Sequence, residues 1–525
     1  MLKTLPKYIL CTLLFGGWMS TASLVQAQVS LGSLPVSWSV DGDLSEEVNF
    51  ITSGGVDVES LLDEDEETEL NARSSPMRFA TRKAVDHTPD NSGRWTTLSN
   101  GDRIWMLGIE SEGALAIGLT FGKFHLPRGA ALYLYNPERT DIIGALTSTS
   151  NHANKVLTTE RISGDRIIIE YYEPYAVRHQ GQLRIRTVAH TYRDVNYTGA
   201  EELCSLQPAC FGEKRLLDLS TSVVRIVVDD GTHYCTATLV NNTNFDGKPY
   251  LITNDAALIG DPNAWHFTFR KANASCQTSP VERVSYSLSG AVVRATDEAS
   301  GLSLIEMHSR PLPEWGVFFA GWDATASTPQ EAYTVHHPFG NSKEIALTGT
   351  SPVPTNFNNT LSFRIDGWSQ GRTAEASTGA PMISGQFLVK GAMTAGFSTC
   401  GTDAPDYFSA LSNAWSAFSD FLDPFNEGTT MLNGTYLSFS TIDRRLLDDN
   451  IAVFPLPATD RINLVNEGDV AINEVAVYDL SGREVHRSLY FGNQVDIADL
   501  PTGHFVLVIY LENDVVRKPF IKWSE

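Results

Sequence analysis

From residue 86 onward, apolar and polar side chains alternate in short runs instead of recurring every third or fourth position. Alternation with a period of two is the mark of a half-buried strand. Ala114–Thr120, Ala131–Tyr135 and Arg166–Tyr172 are such runs, and Pro127–Gly129 and Ser163–Asp165 supply turns between them. Residues 86–200 are therefore predicted to form a small β-sandwich. The pattern continues over residues 201–434, in Ser222–Val228, Ala291–Arg294 and Phe387–Val389, with glycine and asparagine turns. One short amphipathic helix is predicted there, at Leu411–Leu422, and the rest reads as β-barrels or a sandwich. Residues 435–450 read as a linker. Residues 451–525 alternate again, in Glu474–Tyr478 and Phe505–Tyr510, with turns at Ser481–Gly482 and Pro501–Gly503. That length suits an immunoglobulin-like sandwich of seven strands. The expected fold class is mainly β.

The first 85 residues differ. Lys3 and Lys7 precede an apolar stretch, Tyr8–Trp18, and Val25, Gln26 and Ala27 offer a small-residue cleavage site. Residues 1–27 read as an export signal, since the apolar run is too short to span a bilayer comfortably. Residues 28–85 carry the acidic run Asp63–Glu67 and few aromatic residues before Phe79, so a mobile, solvated lead segment is expected. The regular ligand spacing of a calcium loop is missing there.

Composition narrows the class of partner. The chain has 525 residues, about three domains' worth, with 42% hydrophobic and 19% charged residues. Its formal net charge of −23 argues against nucleic acid or an anionic membrane surface as the main partner. Of six cysteines, Cys11 falls within the signal, leaving Cys204, Cys210, Cys235, Cys276 and Cys400. In an exported protein these should pair, and an odd number leaves at least one over. They form no Cys-x-x-Cys pair and have no histidine cluster beside them, so neither a metal nor another cofactor is expected.

Specific residues go further than periodicity. Cys235–Asn242 followed by Tyr250–Thr253 resembles the strand pair before the catalytic histidine of trypsin-like serine proteases. Phe319–Asp323, His336-His337-Pro338, Asp420–Pro424 and Met431–Gly434 resemble the bacterial secreted lysyl endopeptidases in particular. Leu115–Arg193 is similar to those enzymes' propeptide. The resemblance implies a chymotrypsin-like double β-barrel over residues 201–434, with a cleft between two six-stranded barrels.

It also implies where a catalytic triad would stand. Such a triad needs a nucleophile, a base that takes its proton, and an acid that orients the base. In the string Thr253–Ala257, Ala256 stands at the histidine position. In Gly301–Met307, Gly301 stands at the aspartate position. In Ala376–Pro381, Thr378 stands at the nucleophile position. A threonine hydroxyl without a base in reach is a poor nucleophile. Ala376 replaces the glycine of the oxyanion turn, where a Cβ disfavours positive φ, so loss of that turn is expected as well. A shifted alignment would let Asp255 serve as acid and His266 or His336 as base. The ungapped match over Arg294–Met307 and the frame set by Gly379 and Pro381 stand against it. His336-His337 reads more simply as a packed or hydrogen-bonded pair.

The same resemblance implies disulfides Cys204–Cys400 and Cys210–Cys276. Ala257 stands where the partner of Cys235 should be, which leaves Cys235 a free, buried thiol. Asp406-Tyr407-Phe408 resembles the segment whose carboxylate binds the substrate lysine, although the loop after Cys400 is short, and a solvated loop carboxylate is the other reading. Phe454–Ala458, Val477–Gly482, Leu500–Gly503 and Lys518–Lys522 resemble the C-terminal sorting domain of type IX secretion cargo. That implies contact with the secretion machinery, outer-membrane passage and possible attachment to surface lipopolysaccharide. The function expected is a secreted or cell-surface pseudoprotease that binds protein or peptide. The alternatives are an active endopeptidase with non-standard machinery, or an adhesin that uses the barrels as scaffold.

Overall fold

The computed structural model describes residues 34–39, 48–71, 76–152, 154–193, 206–276, 285–357, 359–398, 404–436, 451–454, 458–466, 472–479, 483–490, 494–511 and 515–523. It is mainly β, with three α-helices among the described residues. The helix Leu411–Leu422 buries Leu411, Ala414, Phe418 and Leu422, the stripe its sequence spacing predicts.

The N-terminal sandwich pairs a six-stranded sheet with a five-stranded one. Trp105, Leu107, Ile117, Leu119, Ile167 and Ile169 lie in the core between them. The lead segment corrects the expectation of a mobile stretch. Val36–Ser39 forms a 3-10 turn, and the main-chain N–H of Ser37 donates to buried Glu170 at 3.0 Å. Phe50–Thr52 adds in parallel to Arg103–Glu110. The acidic run lies in a helix, Val58–Asn71. Asp65 is the reason it docks: its buried carboxylate accepts from Arg78 Nε at 2.6 Å and from the Tyr192 hydroxyl at 2.5 Å. The sandwich itself begins at Ala80, six residues before the expected boundary, since Ala80–His87 is one of its strands.

The next unit is built from two curled sheets. In the first, the strand order runs Tyr286–Ser289, His266–Phe269, Val223–Val228, His233–Val240, Tyr250–Asn254, Leu302–Met307, Ala291–Asp297. The two ends of that order are halves of one strand broken at Gly290, where φ is +81°. The sheet therefore closes on itself as a barrel of six strands. In the second, the main path runs from Glu344–Leu347 to Val353–Phe357, again two strands consecutive in the chain. Val240, Ile252 and Leu304 of the first barrel share one core with Val335, Ile383 and Val389 of the second and with the helix Leu411–Leu422. The expected linker begins later than residue 435, because Thr435–Tyr436 pairs with Phe318–Phe319. The C-terminal sandwich has three strands in one sheet and four in the other.

Candidate active-site positions

The three positions assigned by the family resemblance come from three separate elements. Ala256 sits in a 3-10 turn, Asp255–Ala257, capped by Asn254, whose Oδ1 accepts from the Ala256 N–H at 3.0 Å. Gly301 begins the turn into Leu302–Met307, and its carbonyl accepts from the Asp255 N–H at 2.8 Å. Thr378 lies in the loop before Pro381–Ser384, and its carbonyl accepts from the Thr236 N–H at 2.9 Å. The loop is pressed against the first barrel at Gly379. A Cβ there would fall 2.2 Å from both Thr236 O and Thr253 Oγ1 and 3.2 Å from Asn254 N. Asn254 and its neighbours thus bring the three positions together, although they lie far apart in sequence.

At that junction the side chains are a methyl at Ala256, none at Gly301 and a hydroxyl at Thr378. Gly301 adopts φ +67°, and an added Cβ would lie 3.2 Å from Asn254 Nδ2 and 3.2 Å from Asp255 Oδ1. The carboxylate beside these positions is therefore that of Asp255, which is exposed. The oxyanion turn corrects an expectation: Ala376 keeps the positive φ, at +66°, despite its Cβ. Such a conformation costs an L-residue about 1–2 kcal/mol. Thr236 Oγ1 helps to hold it by donating to the Ala376 carbonyl at 2.9 Å.

The histidines that a shifted alignment could recruit are buried. His336 is fully buried, with Nδ1 2.7 Å from Ser377 Oγ. Burial, assisted by the charge of Arg372, lowers its pKa to about 3. The Ala374 N–H donates to the same hydroxyl at 3.1 Å. Ser377, the neighbour of Thr378 in the chain, is fully buried too. His337 is also buried, with Nδ1 2.8 Å from the Asn341 carbonyl. His266 Nε2 lies 3.2 Å from Glu160 of the N-terminal sandwich.

Asp406 is neither a solvated loop residue nor an open pocket floor. It is fully buried at the start of the strand Asp406–Ala410. One carboxylate oxygen accepts from the main-chain N–H groups of Phe397 at 2.9 Å and Ser398 at 3.2 Å. The other accepts from Trp368 Nε1 at 2.7 Å, Thr373 Oγ1 at 2.7 Å and Ser398 Oγ at 2.8 Å. A carboxylate offers about four lone-pair sites, so these five donors use its acceptor capacity. Cys210 and Cys276 are disulfide-bonded, and Cys235 is a buried free thiol whose pKa is raised by burial. The expected Cys204–Cys400 pair lies outside the described residues.

Residues 198–409 match the family described as lysyl endopeptidase, C-terminal domain. Residues 452–522 match the secretion system C-terminal sorting domain. The chain carries a lysyl endopeptidase-like domain followed by a sorting domain. A lysyl endopeptidase of Pseudomonas aeruginosa is 26% identical over 293 residues, which take in 50% of this chain and 62% of that relative. The chain thus spans less than two thirds of the relative's length. Among solved structures, a HtrA-type protease with a tripeptide is 11% identical, with a TM-score of 0.30, covering 59% of this chain and 95% of that one. Deg5 is 12% identical, with a TM-score of 0.28, covering 40% and 92%. At those scores neither likeness bears on function. The sorting domain places the protein among secreted or cell-surface proteins that engage a secretion system.

The sequence motifs of the lysyl endopeptidase-like domain single out Ala256, Gly301 and Thr378 as candidate positions. They gave no hint of Phe79, which packs with Tyr234 and Ala376 in one buried cluster. Phe79 is a single aromatic residue in a polar stretch, and nothing local marks it.

Proposed function

We propose that this protein is a secreted or surface-held protease homologue that does not cleave peptides and acts by binding protein or peptide. The supporting observation is the set of side chains at the junction around Asn254: a methyl at Ala256, none at Gly301 and a threonine hydroxyl at Thr378. On this reading the histidine position offers a methyl in place of an imidazole, and the loss of a triad lowers turnover by about a million-fold. Asp406 acts as a structural anchor of the loop Gly396–Ser398, because a lysine ammonium would have to displace donors already in place. Sorting by the type IX route would bring the chain through the outer membrane, and attachment to surface lipopolysaccharide would hold it there.

The test is hydrolysis of a lysine ester by the exported protein beside its Thr378→Ala variant. Equal background rates are expected. Turnover that is clearly above the variant's would overturn the proposal in favour of a working endopeptidase.

A further inference from the structure

We propose that the N-terminal sandwich is a permanent partner of the barrels, one that stays bound when the chain connecting them is cut. Glu160 locks it there. Lysyl endopeptidase-like motifs alone would suggest a detachable leader; the contacts of this chain argue otherwise.

Glu160 belongs to the sandwich, but its carboxylate enters the first barrel. There it pairs with Arg225, accepts from Thr268 Oγ1 at 2.7 Å and lies 3.2 Å from His266 Nε2. The Arg225 side chain is only 4% exposed. It projects from the strand Val223–Val228, also donates to the Gly340 carbonyl at 3.1 Å, and lies over the Tyr234 ring. The barrel therefore buries a guanidinium whose carboxylate comes from another domain. Breaking a buried pair from one side leaves an uncompensated charge.

Two further contacts act in the same sense. Met77–Arg78 pairs antiparallel with His233–Tyr234 and so extends the barrel's sheet. Phe79 stacks on Tyr234 with ring centroids 3.9 Å apart, and its N–H donates to the Thr232 carbonyl at 3.0 Å. At the rim, Arg186 of the sandwich reaches Asp230 at 2.7 Å. Detaching the sandwich would expose the stacked rings and take the Glu160 carboxylate away from the buried Arg225. It would also uncover Ala376, in the loop that carries Thr378. The sandwich thus closes that side of the loop for as long as it remains.

No cysteine lies between residues 28 and 203, so once the chain is cut no disulfide can hold the sandwich. That permits a clean experiment on the full-length exported protein. A recognition sequence for a site-specific protease is inserted within residues 194–203 and cleaved, and the fragments are run on gel filtration at micromolar and then nanomolar concentration. Co-elution is expected throughout. Glu160→Ala should weaken the association by on the order of 100-fold or more, the fold-change equivalent of breaking a buried pair. Glu160→Gln, which keeps an acceptor for Thr268 but loses the charge, should fall between. If Glu160→Ala does not fold, Phe79→Ala reads the same interface, with a loss of roughly 10-fold or more. Separation of the wild-type fragments at micromolar concentration would overturn permanence. A Glu160→Ala association within about threefold of wild type, well short of the loss expected for a buried pair, would overturn the lock.

Discussion

Substitution of Gly301 tests whether this position, where the proposed reading puts the triad acid, sits against Asp255. Two costs can be worked from the structure for Gly301→Ala. The residue has φ +67°, and an L-side chain there costs about 1–2 kcal/mol. The new Cβ would lie 3.2 Å from Asn254 Nδ2 and from Asp255 Oδ1, so both must yield by a few tenths of an ångström. Gly301→Asp adds a carboxylate facing that of Asp255. Because Asp255 is exposed, the added repulsion should be near the aqueous limit, about 1 kcal/mol at 4 Å. The aspartate variant should therefore lose about 2–3 kcal/mol, and the alanine variant about 1–2. Placing Asp255→Asn in the Gly301→Asp background should return about 1 kcal/mol. Equilibrium urea unfolding followed by tryptophan fluorescence provides the midpoints. If Gly301→Asp costs no more than Gly301→Ala, or if Asp255→Asn gives no relief, then the two residues are not neighbours and the convergence around Asn254 fails. The same costs should fall on any variant that places an aspartate at residue 301. Ala256→His and Thr378→Ser meet no such strain in the backbone, but the acid would have to enter at a positive φ beside a like charge.

Other outcomes follow from the buried polar groups. Asp406→Asn turns one acceptor into a donor among five donors, and should cost about 1–3 kcal/mol in the same unfolding assay. Stability should fall on acidification from neutral pH. His336 has its pKa lowered to about 3 by burial and then by Arg372, so the folded state resists a proton that the unfolded chain takes up near its ordinary value of 6.5. Its contribution is therefore present above pH 6.5 and lost progressively as pH falls towards 3. His336→Gln should flatten the slope by up to ~1.4 kcal/mol per pH unit over that window. Thiol titration of the unreduced mature protein should find none in the native state and one after denaturation, at Cys235; a native-state reaction at Cys235 would contradict its burial.

Much of this architecture can be read along the chain, because strands announce themselves through local alternation. Ala80–His87 alternates in burial, Arg166–Glu173 and Val223–Val228 show instead as short apolar runs, and Leu411–Leu422 shows its apolar stripe just as openly. The acidic helix Val58–Asn71 does not, because its apolar face is weak and its docking depends on Asp65 meeting Arg78 and Tyr192. Tyr192 is 127 residues away, beyond any local pattern. The assignment of Ala256, Gly301 and Thr378 rests on motifs that are short and ordered. Two features were not legible in the sequence. Ala376 holds a glycine-like turn through a hydrogen bond from Thr236, a residue on the other barrel. Glu160 is an ordinary charged residue in sequence, and only the fold brings it to Arg225. Burial alone would raise its pKa, yet the charge of Arg225 and the hydrogen bond from His266 hold it well below the usual carboxylate range.

The central proposal is that Thr378 does not act as a nucleophile. The most direct measurement is intact-mass analysis after exposure to a fluorophosphonate, which phosphonylates activated serine and threonine hydroxyls with loss of fluoride, with Thr378→Ala alongside. The account predicts that the two proteins remain unmodified under conditions that fully label an active trypsin-like protease. A stoichiometric adduct on the native chain, mapped to Thr378 and absent from Thr378→Ala, would contradict it.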